Sequence, residues 1–382
     1  MPMHATRNPD IRRRRRDELV RQAWRAHDVA ELFAEASTRL RRLVHFDAAA
    51  WLSTDPGTGL PTAPTRVENL GDPDPDQCSR LWRREFLADD VNRFRDIARA
   101  DVPAASLRAA APDPTRSARY REFLRPLGLA DELRAVLRVG DSPWGMVGLL
   151  RRAGRPQFTA DETRFVAGLS APLGEALRAC ATLPAESLGR LVRPDQPGLL
   201  VFDRAASLIS VNEKARAWLA ELPHDECLPS GLGVDVPMWI ITAVLQAGAV
   251  AGGYGDGTAR SRLRTRRGQW LVCHASCLRD ADGGVGSVAV VVEPAKATDI
   301  APIIVEAYGL SDREQQITRL IAWGAATAEI AAELHLSAHT VRDYVKAIFA
   351  KVGVSARGEL VAKLFAEYYE PMHQGDVRVV AD

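Results

Sequence analysis

Lysine is almost missing from this chain. Of its 50 basic residues only five are lysines (Lys214, Lys296, Lys346, Lys351 and Lys363), which leaves 45 arginines. Codon usage in a G+C-rich genome explains such a bias at most positions, yet three of the five lysines fall between 346 and 363. An excess of charge of either sign is also missing. The 50 basic and 49 acidic residues leave +1, which excludes a general cationic coat for nucleic acid and a general acidic coat for cationic partners. Cysteine is scarce: Cys78, Cys180, Cys227, Cys273 and Cys277 are odd in number and scattered, so no disulfide framework is expected. Long apolar runs are missing too. The longest uncharged stretch, 236–255, is interrupted by Pro237, Gln246 and four glycines and is too short to span a bilayer. The first residues, MPMHATRNPDIRRRRRDELV, have no apolar segment behind their basic residues, so no secretory signal is read. These absences predict a soluble cytoplasmic protein with no membrane partner. Neither H-E-x-x-H, G-x-S-x-G, a Walker A sequence nor kinase signatures occur, so an enzyme is not expected.

What is present is enough apolar sequence for several cores: 382 residues, 46% hydrophobic and 26% charged. Residues 1–17 read as a flexible basic tail carrying the arginine run 12–16. A continuous helical pattern follows over 17–44, with Leu19, Trp24, Val29, Leu32, Phe33, Leu40 and Leu43 on one face. Strand signals (HFDAAAWL, PTRVENL), helical spacing over 77–99, a helix in ARYREFLRPLG and two further strands (ELRAVLRV, WGMVGLLRR) come next. Thr159 with Glu162 forms a capping box that opens a closing helix to about residue 181. This is an α+β unit over 18–180 with an antiparallel sheet. After a proline-containing linker, 181–195, a second α+β unit spans 196–294: a hairpin, two helices and three strands separated by Arg267-Gly268 and Asp282-Gly283-Gly284 turns. A linker with a short helix covers 295–309, an all-α unit 310–370, and a tail 371–382.

The all-α unit has the most informative local signals. Ser311-x-x-Glu314 is a capping box, Thr327 is read as the N-cap of a short second helix, His335-Leu336 as a tight turn, and Ser337 as the N-cap of a third helix ending before Gly353. At 100° per residue, Val341, Val345, Ile348, Phe349 and Val352 share one side of that helix. His339, Arg342, Asp343, Lys346 and Ala350 share the other. A solvated amphipathic helix in a small bundle would look the same. A short helix, a tight turn and such a helix is also how a helix-turn-helix offers a reading head to the major groove, where Arg and Lys bond guanine and Asp accepts from cytosine.

LSDREQQITRLIAWGAATAEIAAELHLSAHTVRDYVKAIFAKVGVSARGELV resembles the DNA-binding domain of LuxR/FixJ-type transcription regulators over about fifty residues. The resemblance implies an all-α four-helix helix-turn-helix that binds double-stranded DNA. It places Arg342, Asp343 and Lys346 toward bases, and Thr340, Tyr344 and Lys351 toward the backbone. Thr327, Ser337 and His339 are further backbone candidates. The last helix, from Ala356, commonly supplies a dimer contact in the family, which implies a homodimer, and RNA polymerase is a candidate partner. The sequence departs from the family at Tyr344, usually His, and at Ala326 and Ala328, usually Ser and Lys.

The unit at 18–180 resembles a GAF domain in its element order. The unit at 196–294 resembles a PAS domain, on LLVFDRAASLISVNEKARAWL with Asn212 and on its closing strands RTRRGQWLVCHASCLRD and GVGSVAVVVEP. The fold class expected is therefore multidomain: two α+β sensor-like domains followed by the helix-turn-helix. The function expected is sequence-specific transcription regulation, with DNA binding modulated by the sensor-like domains. A non-DNA-binding sensory or interaction protein, or an enzyme with an unrecognised site, stays as the alternative.

No cofactor is identified, and a small-molecule ligand of unknown identity is allowed. Cys273, His274 and Cys277 do not suit a metal: on a strand the two cysteines lie roughly 13 Å apart with the histidine on the other face. The glycine-rich run 252–257 lacks the Lys-Ser/Thr ending of a phosphate loop. Arg260, Arg262, Arg264 and Arg266 alternate into a one-sided cationic row. That row is either a solvated face or a contact for an anionic ligand or for another domain's carboxylates.

Overall fold

Two five-stranded antiparallel sheets with one and the same strand order make up most of the chain. The computed structural model describes residues 9–71, 75–181, 196–223, 227–254, 257–280, 283–295, 299, 303, 306–322 and 324–365. The linker at 181–195 lies almost wholly outside them, as do the tail at 371–382 and most of the helix expected near 299–307. The described residues fall into two compact units, one of 9–180 with 196–294 and one of the residues from 295 on.

The α+β unit opens with helices α1 (Pro9–Ala23) and α2 (Val29–Leu40). The single helix expected over 17–44 is thus two. The first ends at Ala23, and Asp28 starts the second: its backbone is extended, and its side chain accepts the Glu31 N–H at 2.8 Å as an N-cap. The basic tail expected over 1–17 is also corrected where it is described, because 12–16 lie within α1. Arg12 sits over the Phe165 ring at 4.5 Å, and Arg16 donates to the Gly168 carbonyl at 3.0 Å. An arginine run can therefore dock as a helix face through its stems and flat heads.

Strands β1 (Ala48–Thr54), β2 (Pro61–Glu68), β3 (Ala104–Ser106), β4 (Leu129–Val139) and β5 (Ser142–Arg152) form the first sheet in the order β2-β1-β5-β4-β3. Helices α3 (Pro75–Leu87), α4 (Phe94–Arg99) and α5 (Leu107–Ala110) fall between β2 and β4. The helix expected in ARYREFLRPLG is a short π-helical turn, Tyr120–Leu124, with Gly128 at φ 71° after it. Helices α6 (Ala160–Ala167) and α7 (Ser170–Cys180) close this half. Both halves of the Thr159/Glu162 capping box are made, at 3.1 and 2.9 Å.

The second half has β6 (Gly198–Phe202), β7 (Leu208–Val211), α8 (Glu213–Glu221), a small ribbon of β8 (Cys227–Pro229) and β9 (Asp235–Pro237), and α9 (Met238–Ala251). Strands β10 (Arg260–Arg264), β11 (Trp270–Arg279) and β12 (Val285–Pro294) complete its sheet, ordered β7-β6-β12-β11-β10. Each sheet thus runs second-first-fifth-fourth-third in its own chain order. Helix α9 is apolar all round and buried, as expected for a helix enclosed by its neighbours. Its Trp239, Ile240 and Ala243 join Phe202 and Leu271 in a core that continues without a break to Trp82, Phe86 and Met146 of the first half.

Charge is buried in the first half. Arg119 and Arg134 both hold Glu132, at 2.9 Å each, and Arg134 also holds Glu85 at 2.7 Å. Burial pushes the Glu132 pKa up, but the two guanidiniums outweigh it and leave it below the ordinary carboxylate range.

The helical unit contains α10 (Asp312–Ala322), α11 (Thr327–Glu333), α12 (Ala338–Val352) and α13 (Arg357–Phe365). Its core includes Ile317, Ile321, Ile330, Val341, Ile348, Val352 and Leu360. The α+β architecture with antiparallel sheets, followed by helices alone, agrees with the α+β and all-α classes read from sequence, while the two α+β segments expected as separate domains form one compact unit with a shared core.

Candidate nucleic-acid interface

The α11–turn–α12 element is built from local signals. Ser311 and Glu314 cap α10 reciprocally: the Ser311 N–H donates to Glu314 at 2.6 Å, and the Glu314 N–H donates to Ser311 Oγ at 3.4 Å. The expected cap at Thr327 is corrected by one residue. Ala326 is the N-cap and Thr327 the first helical residue. Alanine offers no acceptor there, and only the reverse bond forms, from the Ala326 N–H to Glu329 at 2.6 Å. The turn is made by His335 in the left-handed region, φ 53°. Ser337 then caps α12, its Oγ accepting the Thr340 N–H at 3.0 Å. Gly353, at φ 68°, ends it.

Val341, Ile348 and Val352 are buried on one side of α12, with Val345 and Phe349 half-buried beside them. His339, Arg342, Asp343, Lys346 and Ala350 are exposed on the other. The stripe read from the wheel is therefore a real surface. Arg342 and Lys346 are cations on it, while Asp343 is engaged by His339 one turn earlier, Nδ1 to Oδ2 at 3.0 Å. Thr340 and Tyr344 flank it, half-buried. Lys351 behaves differently. Its Nζ donates to the Glu314 carboxylate at 2.6 Å and to the Gly309 carbonyl at 3.0 Å, so it ties the end of α12 to the start of α10. Burial raises the Glu314 pKa, but Lys351 and the Ser311 bonds lower it further, leaving it below the ordinary glutamate range. Sequence reasoning missed this ion pair. The two residues are 37 apart, and no local pattern links them.

The arginine row on β10 is not one solvated face. Arg262 is buried and grips the buried Asp55 of the β1–β2 loop, Nε to Oδ2 at 2.7 Å and Nη2 to Oδ1 at 2.6 Å. Its anion is thus a carboxylate of the other half of the unit. Arg264 lies over the Trp270 ring at 4.8 Å. Arg266 follows the strand and donates to the Ala220 carbonyl. Arg260 is half-buried, and its carbonyl accepts from Thr58 Oγ1 at 2.9 Å. Cys273 is buried on β11, its thiol pushed up to about 12 by burial, and among the described residues no cluster of three or more metal-ligating side chains occurs. Among those residues no helix is long and apolar enough to cross a membrane.

Residues 309–364 match the family model described as bacterial regulatory proteins, luxR family. These residues form a LuxR-type helix-turn-helix domain. Over 58 residues the chain is 41% identical to the transcriptional regulatory protein DesR of Bacillus subtilis, covering 15% of this chain and 29% of DesR. The chain thus spans under a third of the length of that curated relative, and the likeness is confined to a stretch the size of the LuxR-type domain. Among solved structures, Escherichia coli SdiA is 13% identical with a TM-score of 0.33, over 91% of this chain and 96% of that one. A VqmA–ligand–DNA complex from Vibrio cholerae is 16% identical with a TM-score of 0.21, over 49% of this chain and 90% of that one. Scores of this size assign no fold to the sheets that precede the LuxR-type domain.

Proposed function

We propose that this protein is a sequence-specific DNA-binding transcription regulator whose DNA binding is modulated by its α+β unit. The observation that carries the reading is the exposed stripe of His339, Arg342, Asp343 and Lys346 on α12, opposite a buried apolar face, inside the LuxR-type domain. A helix so placed can enter a major groove, with Arg342 and Lys346 donating to guanine and Asp343 accepting from cytosine. Ser337 and Thr340 stand at its N-terminus, where backbone N–H groups suit phosphate. Thr327, His339 and Tyr344 complete the backbone set. Lys351 belongs to it only if it leaves Glu314. In this reading the partner is double-stranded DNA bound by a homodimer through α13, with RNA polymerase recruited at the promoter.

The sensor role assigns 18–180 to a GAF-like and 196–294 to a PAS-like domain. The shared second-first-fifth-fourth-third strand order and the Asn212 cap at the start of α8 support it. The test is a gel shift and footprint of the full chain on genomic fragments at low salt. A discrete protected site that Arg342→Ala weakens is expected. No retardation of any fragment would overturn the reading.

A further inference from the structure

A cavity of about 430 Å³ lies beside the first sheet. Small-molecule sites run from roughly 300 to 1,000 Å³. Its wall is aromatic: Trp82 and Phe86 of α3 stack with centroids 6.3 Å apart, and Phe94 of α4 joins them. Leu60 and Met146 add aliphatic surface, and all five side chains are buried.

The polar groups on this wall are not equivalent. Glu85 is already satisfied: one oxygen accepts the Phe94 N–H at 2.5 Å and the other accepts Arg134 Nη1 at 2.7 Å. Arg95 is not. Its Nε is buried with no acceptor, and among the described residues Arg95 has no hydrogen-bond or ion-pair partner. Arg99 and Asp141 also line the cavity and are exposed. Arg95 as a whole is only half-buried, and its two Nη groups, unlike Nε, are not sealed off, so they can give an anion in the cavity charge-assisted hydrogen bonds.

The cavity also reaches the second half. Gln246 of α9 lines it, and so does the loop 56–61, which follows Asp55 and its grip on Arg262. Gly57 in that loop is packed so closely that a Cβ would stand 2.6 Å from Arg262 Nη2.

We propose that this cavity binds a small, flat aromatic anion, its ring against Trp82, Phe86 and Phe94 and its carboxylate or sulfonate on Arg95. The proposal goes beyond DNA binding and does not depend on it. The full-length protein is titrated with 8-anilinonaphthalene-1-sulfonate and, separately, with its uncharged counterpart N-phenyl-1-naphthylamine, read by energy transfer from tryptophan. One equivalent of each should bind. Arg95→Gln should weaken the sulfonate about tenfold or more, the effect of removing one charge-assisted hydrogen bond, and leave the neutral probe within about twofold. Ala98→Trp, which fills the cavity, should abolish both. Asp141→Asn, at an exposed position, should strengthen the sulfonate alone.

Equal responses of the two probes to Arg95→Gln overturn the anionic class and leave an apolar hole. Binding that survives Ala98→Trp places the probes elsewhere and overturns the site. Should Arg95→Gln lose its cooperative melting, Asp141→Asn carries the charge test, and an equal response of both probes to it overturns the proposal. Gel shifts on the same variants keep the two claims apart, since a variant that loses the probe and still retards DNA touches only the cavity.

Discussion

The two units of this protein use charge in opposite ways. The α+β unit hides it: Glu85, Arg119, Glu132 and Arg134 are buried together, and Asp55 and Arg262 are buried between its halves. The LuxR-type domain displays it on α12 and buries chiefly aliphatic side chains beneath. Buried charges need charged partners beside them, and such pairs favour one arrangement of the chain around them. Exposed charges cost little to keep and remain available to a partner. The contrast separates residues that hold a shape from residues that meet something outside.

The sharpest way to break the contrast is Glu132→Ala, which takes the carboxylate from the buried Arg119 and leaves Arg134 with Glu85 alone. Removing one member of a buried ionic network costs about 3–5 kcal/mol. Urea unfolding monitored by hydrogen exchange should show that destabilisation across 129–152 and no change across 338–352. A cost below about 1 kcal/mol would mean the buried charges do not hold the sheet.

Arg342→Ala should do the reverse. Site discrimination should fall by about 1–3 kcal/mol for each bidentate pairing with a base that the truncation removes. Melting should stay within about 0.5 kcal/mol of the parent, as for an exposed side chain. Competition gel shifts beside calorimetry check both halves of that statement.

A smaller effect is expected at Ser337→Ala, which removes the N-cap of α12 and should cost about 1 kcal/mol. Faster amide exchange in the first turn of α12, with the α+β unit unchanged, is the measurement.

The smallest is a pH effect at Glu314. Its folded pKa is lowered, so its stabilising contribution is complete above the ordinary glutamate value of about 4.3 and is lost as pH falls through the lowered value. Protection factors across 312–322, which correct for the slower intrinsic exchange in acid, should therefore fall on acidification in the parent. Glu314→Gln, which cannot titrate, should flatten that dependence. A variant as acid-sensitive as the parent would place the sensitivity elsewhere.

Legibility follows range along the chain. Thr159 with Glu162, Ser311 with Glu314, and Ser337 with Thr340 are three residues apart, and the sequence shows such caps directly. The wheel of α12 is readable for the same reason. Asp28 with Glu31 is equally local but hidden, because the apolar spacing from Leu19 to Leu43 runs through the break. Asp55 with Arg262 spans 207 residues, and Glu85 with Arg134 spans 49. No periodicity reports such partners. Alternation puts Arg262 on a face with Arg260 and Arg264 but cannot say that one carboxylate waits there and not solvent. The cavity is illegible too, because Trp82, Leu60, Met146 and Arg95 meet only once the sheet has formed.

The unbroken core from Trp82 to Trp239 sets what can be exchanged by recombination. A hybrid that kept one sheet and replaced the other would have to rematch α3 with α9 and supply a new carboxylate for Arg262. The portable cassette is the pair of sheets together, and grafting them onto a different reading head leaves that shared interior uncut.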